Sequence, residues 1–177
     1  MIEAEIMGLT QVQGAGFPTV LLRHEERVLL ISIGLPEASA IQLALMKEKP
    51  PRPMTHDLIC NILAGLRGTL QSVNVYKLEE QTFFAYLSIE QQNDQGEVEQ
   101  LLRIDTRPSD GIAIALRVGC PIYVDESVFD EAGHDIALLR SLFEEDNGSS
   151  DEDHIPGERD MDIEDEDDDD EDKSEDF

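Results

Sequence analysis

The chain has 177 residues, and 40 acids against 13 bases give it a formal net charge of −27. A length of this order sets the expectation of one domain of ordinary size. No apolar run reaches the roughly 18 residues of a membrane span, and the opening MIEAEIMG lacks the basic start and apolar core of a secretion signal.

The charge is unevenly spread. Residues 1–143 hold 20 acids and 11 bases, a net of −9, whereas Glu144–Phe177 hold 20 acids and 2 bases, a net of −18. Cys60 and Cys120 sit in no CxxC or Cys/His zinc spacing, so a disulfide framework and a zinc site are both disfavoured. A reduced, cytoplasmic setting is the default expectation. Trp is absent and aromatics make up 5%, which leaves little for stacking on exposed bases.

In chain order, Ile2, Ala4 and Ile6 alternate with Glu3 and Glu5, the period of a half-buried strand. The runs Thr19–His24 and Arg27–Ile33 flank Glu25-Glu26 and read as a hairpin. Gly34-Leu35-Pro36 ends that strand and opens a helix through Ala38–Met46, which KEKPPRP stops. Thr55 is a natural N-cap for a second helix running to about Arg67, with Leu58, Ile59, Ile62, Leu63 and Leu66 on one stripe and Gly68 as its stop. LQSVNVYKL, TFFAYLSIEQ and EVEQLLRIDT follow as a meander, turning at Glu79-Glu80 and at NDQG. RPSDGIAIALRVG is apolar nearly all round and reads as a buried helix, followed by a short strand PIYV and a final helix from Glu126.

The sum is an α+β body, residues 1–143, with a mainly antiparallel or mixed sheet carrying about three helices. Residues 144–177 are expected to form a disordered polyacidic tail, since so few apolar residues cannot offset the entropy of ordering.

Arg-Pro occurs twice at the mouth of a helix, in RPMTHD (Arg52–Asp57) and RPSD (Arg107–Asp110). Each block places a guanidinium, a hydroxyl (Thr55 or Ser109) and a carboxylate where free N–H groups and the positive dipole end favour phosphate. Asp57 and Asp110 could hold a hard divalent ion, His56 could move a proton, and Asp105 ends the strand beside the second block. Each residue also has a plain structural reading. Thr, Ser and Asp cap helices, Pro belongs at their first position, and Asp105 could pair with Arg103 or Arg107. Cys60 lies on an apolar stripe, where core packing outweighs nucleophilic use.

The stretches IGLPEASAIQLAL, PPRPMTHDLICNIL, TFFAYLSI and IDTRPSDGIAIALRVGCPIYV together resemble the bifunctional nuclease domain, from about Ile2 to Val128. The resemblance implies an α+β homodimer with deoxyribonuclease and ribonuclease activity. Arg52, Thr55, His56, Asp57, Asp105, Arg107, Ser109 and Asp110 match that family's motif positions. Some members carry a helical appendage where this chain has its acidic run, so partners of that appendage are not carried over.

The leading expectation is a nuclease of low sequence specificity acting on DNA and RNA. In it Arg52, Thr55, Arg107 and Ser109 bind phosphate, Asp57 and Asp110 hold Mg²⁺ or Mn²⁺, His56 activates water, and Asp105 completes the catalytic set. A body at −9 lacks the basic footprint of a nucleic-acid binder, apart from a local cluster of Lys47, Lys49, Arg52 and Arg107. The alternative is a non-catalytic α+β binding or regulatory module for an anionic ligand. The tail would then meet a basic partner, or fold back as an autoinhibitor.

Overall fold

A computed structural model describes residues 1–11 and 16–139. The acidic run of Glu144–Phe177 lies outside the described residues, as do positions 12–15 and 140–143.

The described chain runs β1 (Ile2–Gln11), β2 (Pro18–His24), β3 (Arg27–Ser32), α1 (Leu35–Leu45), α2 (Thr55–Gly65), β4 (Gly68–Glu79), β5 (Thr82–Gln92) and β6 (Val98–Thr106). It continues with α3 (Pro108–Val118), β7 (Ile122–Val124), α4 (Glu126–Ala132) and β8 (Gly133–Asp135). A further helical turn covers 136–139. The eight strands form one mixed sheet in the order β6-β5-β4-β7-β1-β2-β3-β8, in which only β4 and β7 run parallel. The body is therefore α+β, with the expected hairpin at β2–β3 and the expected meander at β4–β5–β6.

Alternation along the meander sets its two faces. Val73, Leu87 and Ile104 are register partners on one face, and α3 packs there. Gly111 makes that approach possible: a Cβ at its position would stand 2.7 Å from Val73 Cγ1. Ile112, Ala113, Ile114 and Ala115 are all 1% exposed or less, so α3 is the central helix of the core, with α1 and α2 packed beside it. Gly119, left-handed at φ 76°, ends α3 and its N–H bonds the Ala115 carbonyl.

Local details differ from the sequence reading. Met54, not Thr55, is the N-cap of α2, because Asp57 reaches back to the Met54 N–H at 2.9 Å and fixes the helix start one residue earlier. The same helix stops through Arg67 at φ 54°, while Gly68 already opens β4. The β4–β5 turn is Glu80-Gln81, both at positive φ. The stripe read on α2 divides: Ile59 and Leu63 pack on the core, while Leu58, Ile62 and Leu66 are exposed. Strand β8 carries no apolar alternation and is held by pairing with β3, a long-range contact invisible to local pattern.

Candidate functional site

The second Arg-Pro block forms the first turn of α3. Arg107 is the N-cap, Pro108 the first helical residue and Asp110 the third. The first block opens α2 in parallel fashion, with Thr55, His56 and Asp57 in its first turn. Packing of α2 against α3 brings the two mouths together across 54 residues of sequence.

Their contact is a hydrogen bond between His56 Nε2 and Asp110 Oδ1 at 3.1 Å. Asp110 Oδ2 accepts from Arg107 Nε at 2.8 Å, and Arg107 NH1 reaches Glu37 Oε1 on α1 at 2.8 Å. The side chains of His56 and Asp110 are 12% and 26% exposed, whereas Arg107 is 66% exposed. Burial alone would push the Asp110 carboxyl up. The bonds from Arg107 and His56 outweigh it and hold that carboxyl below its ordinary value. The two acidic partners, Asp110 and Glu37, in turn raise Arg107.

These groups line a cleft of about 560 Å³ bounded by α1, α2, α3 and the ends of β5 and β6. Thr55, His56, Arg107 and Asp110 border it together with Glu37, over an apolar floor that includes Ile59 and Ile114.

Other sequence-read residues lie elsewhere. Asp57 lines a separate cavity of about 700 Å³ with Lys47, Lys49, Cys60, Asn61 and Arg117. There it accepts from Arg117 Nε at 2.7 Å, and the Met54 N–H above all, with Arg117, holds its carboxyl below the ordinary range. Ser109 is buried, 6% exposed, in the first turn of α3. Asp105 borders the cleft, but β6 turns Thr106 toward α3, so alternation puts the Asp105 side chain on the other face, in register with Tyr86 and Asn74. Arg52 is exposed in the α1–α2 connection. Cys60 packs against the core, and burial pushes its thiol up; burial likewise pushes Cys120 up to about 11.

Two residues that hold these groups were not singled out from sequence, Glu37 in the cleft and Arg117 in the separate cavity. Glu37 is the acid in the first turn of α1 and is also the second clamp on Arg107. Arg117 stands in an otherwise apolar helix, seven residues after Asp110 and so on the same side; a cation in such a segment needs a carboxylate.

Asp57 and Asp110 do not fit a shared divalent ion. Asp57 is engaged by a guanidinium and a backbone N–H, and Asp110 by a guanidinium and the imidazole. Among the described residues no group of three or more His, Cys, Asp or Glu side chains gathers as a ligand set. Nor is any described helix long and apolar enough to cross a membrane.

Comparison with known proteins places the chain in a family. Residues 20–137 match the bifunctional nuclease domain, a span holding both Arg-Pro blocks and all three helices that bound the cleft. Two uncharacterized proteins of Mycobacterium tuberculosis, from strains CDC 1551 and H37Rv, are each 42% identical over 135 residues, covering 75% of this chain and 77% of theirs. With a match over most of the folded body, the chain belongs to the bifunctional nuclease domain family.

Proposed function

We propose that this chain is a nuclease that hydrolyses phosphodiester bonds in DNA and RNA with low sequence specificity, and that its working cleft is the one holding His56, Asp110 and Arg107. The observation that carries the reading is the bond between His56 and Asp110, which unites two motif blocks distant in sequence. Family membership points the same way.

The chemistry follows from the donors available. An ionised Asp110 only accepts, so its bond with His56 assigns the hydrogen to Nε2 and leaves the lone pair on Nδ1. Nδ1 then takes the proton of a water attacking phosphorus, and Asp110 stabilises the imidazolium until the proton passes to the leaving oxygen. Arg107 is held by Asp110 and Glu37, so its remaining N–H groups meet a phosphate oxygen without further ordering. The N-terminus of α2 and the Thr55 hydroxyl add donors on the same side. No step is assigned to a metal, because the carboxylates expected to hold one are committed to other partners.

The test is cleavage of single- and double-stranded DNA and RNA, with and without EDTA, by parent, Asp110→Asn and Asp57→Asn proteins purified identically. Asp110→Asn should abolish cleavage, while Asp57→Asn should retain it below its melting temperature. Equal cleavage by all three fractions would contradict the assignment.

A second reading is favoured by charge. A body at −9 whose two best carboxylates are both neutralised by arginine suits a module that binds a small anion without turnover. Saturable binding of inorganic phosphate or a nucleotide by a protein that cuts nothing would select it.

A further inference from the structure

We propose that the cavity of about 700 Å³ beside the α1–α2 connection binds a nucleoside monophosphate, with Lys47 and Lys49 on its phosphate and Asn61 on the edge of its base. This site is separate from the cleft and stands whether or not the cleft cuts nucleic acid. The two lie on opposite sides of the first turn of α2. His56 reaches Asp110 in the cleft and Asp57 reaches Arg117 in the cavity, and those partners are seven residues, about 10 Å, apart along α3.

Three cations mark the place. The side chains of Lys47, Lys49 and Arg52 are exposed and make no ion pair or hydrogen bond among the described residues. Every other described Lys and Arg meets a carboxylate or, for Arg103, lies over the ring of Tyr86. On a body at −9 acids are plentiful, yet this one connection keeps three neighbouring cations unpaired and so carries a local positive field. The carbonyls that end α1 do not occupy them. Those of Gln42, Leu43 and Ala44 already accept from the N–H groups of Met46, Glu48 and Lys47.

The cavity is preformed. Lys47 takes the left-handed conformation, φ 56°, just past the end of α1, and Pro50, Pro51 and Pro53 stiffen the segment that follows. Pro50 and Pro53 form walls together with Leu116 and Val118 from the end of α3, and Val118 is 45% exposed. Small-molecule sites of roughly 300–1,000 Å³ combine such apolar walls with a few placed polar groups. Stiff walls also reduce the ordering that binding requires.

Charge and shape together choose the ligand. Arg117 and Asp57 neutralise each other in the wall, which leaves Lys47 and Lys49 facing Glu48 as the remaining charges. Two ammonium groups suit a phosphate monoester, which carries nearly two negative charges where an internal phosphodiester carries one. The apolar walls would leave the hydroxyls of a bare sugar phosphate without partners, whereas the flat base of a nucleotide covers them. The Asn61 amide offers both a donor and an acceptor to the base edge.

The experiment is calorimetric titration of the full chain with adenosine 5′-monophosphate, adenosine and inorganic phosphate, at physiological salt, which screens the acidic run. The monophosphate should bind once per chain, with adenosine and inorganic phosphate each at least about tenfold weaker. Lys47→Ala and Lys49→Ala should each weaken it about tenfold, as expected for the loss of one charge-assisted hydrogen bond. Asn61→Leu should narrow the gap between the monophosphate and inorganic phosphate, and Arg107→Ala, in the cleft, should leave the monophosphate affinity unchanged. All four substitutions change exposed side chains, and circular dichroism checks their folding. Absence of saturable binding at millimolar monophosphate overturns the proposal. Equal affinity for inorganic phosphate leaves an anion trap without a base pocket and overturns the ligand. A loss confined to Arg107→Ala places the ligand in the cleft and overturns the site.

Discussion

Arg117 Nε donates to Asp57 Oδ1 at 2.7 Å, and Arg117 NH1 donates to the carbonyls of Ala40 and Ala113 at 3.1 and 2.8 Å. One guanidinium, 11% exposed, thereby ties α1, α2 and α3 to one another beside the cleft. Arg117→Met keeps an unbranched apolar stem and removes all three bonds. The expected loss is about 1–3 kcal/mol of folding free energy, since Asp57 and two carbonyls lose a donor in a partly buried place. Urea unfolding measures it, and a loss within error of zero would show that the tie is ornamental to stability.

The acid limb of the stability curve follows from the same groups. Asp57 and Asp110 have folded-state pKa values below their ordinary ones, through the Met54 N–H and Arg117 in the first case and Arg107 and His56 in the second. A depressed carboxyl binds fewer protons folded than unfolded, so its contribution is complete above the unfolded value of about 3.9 and is lost as pH falls through the folded value. The melting temperature should hold through neutral pH and drop below about pH 4. In Asp57→Asn the neutral-pH value should be lower and that drop shallower; an unchanged slope would remove Asp57 from the account.

Much of this was legible in the sequence, for reasons that can be named. Apolar runs between turn signals marked β2, β3 and the meander, and an apolar stretch marked α3, because β2, β3, β5 and α3 bury one face or most of their surface. The repeat of Arg-Pro marked both helix mouths, and the two do meet through His56 and Asp110. What the repeat could not convey is that equivalent residues serve different ends. Asp57 closes its own helix and pairs with Arg117, whereas Asp110, also third in its helix, reaches across to His56. Strand parity was needed to see that Asp105 points away, and α2 could be resolved into core and exposed flanks only once its neighbours were placed.

Central packing of α3 has a steric test and a polar one. Gly111→Ala brings a Cβ to 2.7 Å from Val73 Cγ1 and 3.3 Å from Thr106 Cγ2. Overpacking of this kind costs about 1–3 kcal/mol, readable as a lowered urea midpoint. Ile114, 1% exposed, lies one turn further along, and Ile114→Asp should leave no cooperatively folded protein, because an unpaired carboxylate there costs several kcal/mol. A soluble, cooperatively melting Ile114→Asp protein would contradict the buried position.

The acidic tail offers a prediction independent of turnover. If tethered to the body, residues 144–177 at −18 should compete with nucleic acid for Lys47, Lys49, Arg52 and Arg107 at a local concentration on the order of millimolar. Truncation after Phe143 should leave folding intact and tighten nucleic-acid binding at low ionic strength, with the gain fading as salt screens both interactions. Equal affinities at low and physiological salt would assign the run to solubility alone.

The most direct measurement of the central claim is the cleavage rate of His56→Gln beside the parent, on one substrate and from matched purifications. Gln can still donate to Asp110 and keep the helix mouths joined, but it cannot take a proton from water. The expected result is a loss of about 100-fold or more in rate with a melting temperature near that of the parent. Parent-like cleavage by a folded His56→Gln protein would contradict the assignment of proton transfer to the His56–Asp110 pair.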